Sequence, residues 1–203
     1  MVRAFACPGV SPNLPVLDFC HLPPSRIDHM FFNLLIVLAT VVAMEIFSVV
    51  AHKHIMHGFG WNWHKSHHEP RTGWFEKNDL YAVFFAGVAI ALIYFGTEGR
   101  HPLEWIGAGM TAYGFLYFVA HDGLVHRRWP FKYVPRSGYL KRLYQAHLMH
   151  HAVEGKEGAV SFGFLYAPPV ADIKAQLRQL HQGPLAGRGR GAAKVQADEQ
   201  APL

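Results

Sequence analysis

Cysteine is almost missing from this chain. Only Cys7 and Cys20 among its 203 residues are cysteines, and both lie outside the patterned region described below. That excludes a disulfide framework and a thiolate metal site. Charge is scarce as well. Asp, Glu, Lys and Arg make up 16% of the residues, against about a quarter in a typical soluble domain, too few to coat an ordinary water-facing surface. The segment 1–29, rich in proline, lacks the charged start and compact apolar stretch of a secretory signal. The formal net charge of +5 comes with no nucleic-acid-binding motif, so no nucleic-acid partner is expected.

The apolar residues are gathered into runs. Hydrophobic residues reach 51% and aromatics 14%. Residues 31–51 are one bilayer thickness of apolar sequence, interrupted only by Glu45 and small polar groups. Residues 80–97 carry no charge and 102–120 carry only Glu104. These runs predict an all-α integral membrane protein with three to four transmembrane helices, the last two joined by a tight turn at 98–101. Four Lys or Arg fall in 52–79 and seven in 121–160, while the turn has Arg100 alone. The bias of positive residues toward the cytoplasm places both segments there and the N-terminus outside.

The expected organisation has four parts. Residues 1–29 form an N-terminal extension, disordered or untranslated, with Met30 as the alternative start. Residues 30–170 form the membrane domain. A short amphipathic helix over 171–181 follows, capped by Asp172 with Ile173, Leu177 and Leu180 on one face. The tail 182–203, dominated by Gly, Ala and charge, is expected to be disordered.

Histidine stands where cysteine does not. Ten of the fifteen histidines form two copies of one pattern. The first is His52-x4-His57 followed by His64-x2-His67-His68, the second His121-x4-His126 followed by His147-x2-His150-His151. At about 100° per helical residue, such a triplet sits on one face and can serve one metal or straddle two. The members of a pair five apart diverge by about 140°, so they reach different ions, or one ion if the helix loosens at Gly58 and Gly123. His54 fits neither copy and reads as structural; His21, His29, His101 and His181 read as surface residues.

Neutral imidazole suits several transition metals. Zinc favours four ligands and has no redox activity, whereas a nitrogen-rich site with more ligands suits iron. Soluble di-iron bundles rely on glutamate; this chain offers almost entirely histidine. A cluster of neutral ligands needs nearby carboxylates to offset charge and fix tautomers, and the candidates are Glu45, Glu69, Asp79, Asp122, Glu154 and Glu157. Glu45 is foremost because an ionisable group within a span is a functional candidate; its rival role is to pair with a polar group between helices. The basic stretch 127–142 either guides a soluble reductant or contacts anionic lipid. Phe59, Trp61, Trp63, Trp74, Phe75, Trp129, Phe131 and Tyr133 read mostly as interfacial anchors.

The run His52-Lys53-His54-Ile55-Met56-His57-Gly58-Phe59-Gly60-Trp61 closely resembles the bacterial β-carotene 3-hydroxylases. So do the stretches 63–71, 78–83, 121–126, 134–142, 147–153, 155–158 and 161–169. The histidine motifs alone indicate only the wider fatty acid hydroxylase and sterol desaturase superfamily; the sequence between them narrows the resemblance. It implies a non-haem di-iron monooxygenase that uses O2 to hydroxylate β-ionone rings at C3 and C3′, taking β-carotene through β-cryptoxanthin to zeaxanthin. It further implies two Fe ions held by His52, His57, His64, His67, His68, His121, His126, His147, His150 and His151; Glu45 and Asp122 are the carboxylates expected, from the residue reading, to support them. The expected partners are a carotenoid within the bilayer, a ferredoxin-type electron donor and membrane lipid. The expected place is the inner (cytoplasmic) membrane of a bacterium, with the site facing the cytoplasm. A hydroxylase or desaturase of fatty acyl chains or sterols would share the ligands and differ in its apolar cavity. A metal transporter would set histidines and carboxylates near the membrane midplane, whereas here they gather at the ends of the runs.

Overall fold

A computed structural model of the protein describes residues 24–182 apart from 72, 131, 132 and 154. Most of the expected N-terminal extension, nearly all of the tail, and Glu154 and Phe131 therefore lie outside the described residues.

Helix α1 (Pro24–Ala51) has 28 residues, about 42 Å at 1.5 Å per residue, which exceeds a hydrocarbon core of about 30 Å. It does not stop at Ala51. The chain continues as a π-helical segment, His52–Phe59, interrupted at Gly58, and then turns at Gly60 into α2 (Trp61–His68). Helix α3 (Asp79–Thr97) runs back, and Gly99, with φ of 92°, makes the turn into α4 (Leu103–Tyr117). Helix α4 passes into a second π segment, Phe118–Val125. Two further helices follow, α5 (Gly138–His151) and α6 (Val170–Gln182). No strand occurs among the described residues.

Two stretches, Ile27–Phe59 and Asp79–Thr97, are long and apolar enough to cross a membrane, and in each only 11% of the most apolar stretch is buried. A core helix of a soluble protein would bury most of it. Here Val42, Ile46, Phe84 and Ile90 point outward, each more than 55% exposed, which is tolerable against lipid and costly against water. Helix α4 has only 15 residues, but its π continuation lengthens the apolar segment, and it packs against both α1 and α3. Two glycines permit that packing. A Cβ at Gly107 would lie 2.8 Å from the Ala89 carbonyl oxygen of α3, and one at Gly109 would lie 2.5 Å from Thr40 Cβ of α1. Small residues at such crossings let helix backbones approach.

A second packed region lies beyond the spans. Leu143 and Ala146 of α5 pack with Val160, Ala167, Ile173 and Leu177, and Leu180 of α6 packs against this core. The amphipathic face of α6 is thus what anchors it. Asp172 does not cap this helix as expected. It sits in the first turn, and the Pro169 carbonyl instead accepts the N–H groups of Asp172 and Ile173 at 3.0 and 3.2 Å, because the helix starts earlier, directly after a proline.

Candidate metal centre

The π segments settle how each histidine pair is aimed. Their hydrogen bonds run between residues five apart, so residues five apart come to the same side instead of diverging as in an α-helix. His52 and His57 both lie in the first π segment. His121 lies in the second, and the His126 N–H closes the five-residue turn onto the His121 carbonyl at 2.9 Å. Both members of each pair therefore face a single centre.

Two centres result. Ring nitrogens of His52, His57, His64 and His150 lie within 4.8 Å of one another, as do those of His67, His121, His126 and His147. His68 Nε2 is 3.2 Å from His64 Nε2, and His151 Nε2 is 2.9 Å from His147 Nε2, so each centre has a fifth ring at its edge. The exchange is symmetric. His67, the middle member of the first triplet, joins the second copy's centre, and His150, the middle member of the second triplet, joins the first. Each triplet straddles both. His52 and His150 are fully buried, while His54 and His29 are exposed and His101 hydrogen-bonds Asn33 at the surface.

The ring orientations show what these centres accommodate. Nδ1 of His52, His57 and His150 donates to the carbonyls of Phe162, Lys156 and Val160 at 2.9, 3.0 and 2.9 Å. Nδ1 of His64 donates to Asn78 Oδ1 at 2.8 Å, that of His67 to Glu76 at 3.0 Å, and that of His121 to Asp122 at 2.7 Å. A neutral imidazole with its proton on Nδ1 presents a bare lone pair at Nε2. Yet Nε2 atoms stand opposed at 3.0 Å for His52 and His64, 3.2 Å for His57 and His150, and 3.0 Å for His67 and His121. Lone pairs face each other at hydrogen-bond distance with no proton to share. A cation between them resolves the conflict, so the donor set fits a metal. With metal–nitrogen bonds of about 2.1 Å, tetrahedral ligands stand about 3.4 Å apart and ligands at right angles about 3.0 Å. The opposed pairs here, at 3.0–3.2 Å, fall within that range.

Burial keeps these rings in the ligating form. It pushes His64 and His126 down to about 3 and His68 to about 4, and lowers His67, His147, His150 and His151 as well. Uncharged imidazole is the state that binds metal.

The carboxylates divide. Asp122 accepts the His121 Nδ1–H directly. Glu45 touches no imidazole: its Oε1 accepts the backbone N–H groups of Phe164, Leu165 and Tyr166 at 3.1, 3.0 and 2.8 Å, and its Oε2 accepts the Tyr113 hydroxyl at 2.8 Å. That same loop supplies the Phe162 carbonyl to His52, and the Phe164 ring stacks on His52 at 4.9 Å. Glu45 therefore acts one step away from the rings. Glu69 pairs with Lys65 at the surface and Glu157 is exposed. Asp79 binds Arg128 at 2.7 Å, so Arg128, expected with the basic stretch 127–142 to face a reductant or lipid, is turned inward by carboxylates. Glu76 and Asn78 were not singled out by sequence. Their one signal is position, in a polar stretch directly before α3 whose ends must satisfy something other than water. Of the flanking aromatics, Phe59 and Trp74 are more than 80% exposed, as anchors would be, whereas Trp61 packs on His57 and His68.

Comparison with known proteins supplies a context for this arrangement. The sequence model of the fatty acid hydroxylase family matches residues 37–171. The chain is 66% identical over 161 residues to a β-carotene hydroxylase of Pantoea ananas, covering 79% of this chain and 91% of that protein. It is 60% identical over 173 residues to a β-carotene hydroxylase of Pseudescherichia vulneris, covering 85% and 97%. A chloroplastic β-carotene 3-hydroxylase of Haematococcus lacustris is 43% identical over 142 residues, covering 67% of this chain and 44% of that one. No solved structure matches the chain significantly.

Proposed function

The chain belongs to the fatty acid hydroxylase family, and on that premise we propose that it is a membrane-bound β-carotene 3-hydroxylase with a non-haem di-iron centre. One ion would be held by His52, His57, His64, His68 and His150, the other by His67, His121, His126, His147 and His151. The observation that carries the metal reading is the set of buried Nε2 lone pairs opposed at 3.0–3.2 Å. The substrate reading rests on the β-carotene hydroxylases that match most of the chain.

An unactivated ring methylene yields only to a strong oxidant; a redox-active iron pair with O2 supplies one, and zinc does not. The protein's own residues do the positioning. Phe162, Lys156, Val160, Asn78, Glu76 and Asp122 hold Nδ1 protons and so aim each Nε2 inward. Glu45 pins the 164–166 loop, which carries Phe164 against His52. The centres sit where apolar helices end, so a β-ionone ring can rise from the bilayer while a ferredoxin-type donor arrives from water. The distribution of Lys and Arg supports a cytoplasmic site in a bacterial inner membrane.

The test is pigment analysis of cells that accumulate β-carotene, with and without this chain. β-Cryptoxanthin and zeaxanthin are expected. Unchanged β-carotene, with iron-bearing protein present in the membrane, would refute the substrate assignment and point to an acyl or sterol substrate.

A further inference from the structure

The two centres match in their imidazoles and differ in what stands behind them. Around the first, the Nδ1 protons of His52, His57, His64 and His150 go to three backbone carbonyls and one side-chain amide. None of these acceptors is charged. Around the second, the Nδ1 protons of His67 and His121 go to the carboxylates of Glu76 and Asp122.

Arg128 gathers those carboxylates. It reaches Asp79 at 2.7 and 2.8 Å, Asp122 at 3.1 Å and Glu76 at 4.0 Å, and all four side chains are at most 20% exposed. Three carboxylates against one guanidinium leave a negative excess beside the second centre. It survives even when the exposed Arg71, which also acts on Glu76 and Asp122, is counted. Two consequences follow. A carboxylate that accepts an imidazole proton makes that ring a stronger donor at its other nitrogen. Uncompensated negative charge in a weakly screened interior also stabilises a nearby cation.

We infer that the two metal positions are inequivalent: the centre of His67, His121, His126, His147 and His151 binds its ion more tightly and fills first. In this scheme Glu76, Asp122 and Arg128 are positioning residues, and Arg128 holds the two carboxylates beneath their imidazoles. The inference rests on reading the histidine clusters as metal sites, but not on the substrate.

The experiment titrates metal-free, full-length protein in detergent with Co2+, following ligand-field absorption and bound metal by equilibrium dialysis. Two steps are expected. Glu76→Gln and Asp122→Asn keep an acceptor of the same shape and remove its charge; each should weaken the tight step about 10- to 100-fold and leave the loose step in place. That unmoved step doubles as the control for folding. Asn78→Ala should shift the loose step alone. Arg128→Gln separates positioning from bulk charge, since losing a cation should tighten the first step if charge alone matters and weaken it if position matters; weakening is expected. Two ions bound with equal affinity would overturn the inference, as would a Glu76→Gln variant that shifts both steps alike. Absence of any Co2+ binding would overturn the metal reading beneath it.

Discussion

A single imidazole coordinates only when its proton is elsewhere, and six of the ten clustered rings have an Nδ1 acceptor that takes it. Replacing His150 or His67 by Ala should therefore abolish turnover and lower bound metal, because each of these two reaches the centre built mainly by the other copy. His54→Ala should retain both, since His54 is exposed and outside the clusters. Pigment conversion and metal content of the purified variants check this, and a fully active His150→Ala would break the ligand assignment. Acid acts on the same residues. His64, His68 and His126 refuse a proton until about 3 to 4 when folded, while the unfolded chain takes one up near 6.5. Between those limits the unfolded state binds more protons, so stability falls as pH falls. The slope is roughly 1.4 kcal/mol per imidazole per pH unit. Thermal unfolding of metal-free protein should thus shift to lower temperature from pH 7.5 to 5.5 to 4.5; a flat profile would contradict the burial of these rings. The histidine clusters were readable from spacing alone. Their partners were not, because a backbone carbonyl such as that of Val160 carries no side-chain signature, and Glu76 and Asn78 reach their histidines only once the chain folds back before α3.

At the scale of the element, the three apolar runs were plain in the sequence, since hydrophobic length needs no tertiary context. The π segments were not. Nothing in side-chain preference separates a five-residue turn from a four-residue one; only the spacing of His52 to His57 and of His121 to His126 hinted that the helix must loosen. Glu45 joins two elements that sequence could not pair. Glu45→Ala strips the acceptor from three backbone N–H groups of the 164–166 loop, at about 1.5–3 kcal/mol for each bond to a charged group before relaxation. Activity should drop strongly, with Glu45→Gln intermediate because its oxygen still accepts. Protease sensitivity of the loop, measured alongside conversion, checks the cause: equal sensitivity in wild type and Glu45→Ala would contradict the clamp. On α4, Gly109→Val forces a side chain into Thr40, an overpacking cost of about 1–3 kcal/mol. The melting temperature in detergent should fall, whereas Gly87→Ala, facing open space, should leave the packing of α3 unstrained.

At the scale of the whole described chain, the histidine-bearing segments are two matched copies that exchange one ring each. Copy one supplies four rings to its own centre and His67 to the other; copy two does the same with His150. The repeat was visible in the sequence, but the crossing was not, because a triplet on one helix face is equally able to serve one ion or two until the facing helix is placed. Exchange ties the halves together at the ends of the spans, so neither centre is complete without the other half. Exposed apolar helices thus lead directly into the polar segments that carry the histidines.

If the buried imidazoles hold an iron pair, as proposed, the oxygen of each new hydroxyl group should come from O2. The most direct measurement is the mass of the hydroxylated carotenoid formed from β-carotene under 18O2, with iron-loaded and iron-stripped protein and a reducing donor. Expected are 18O in each new hydroxyl group and no product without iron. Hydroxyl oxygen drawn from water, or product formed equally well by the stripped protein, would contradict the proposal.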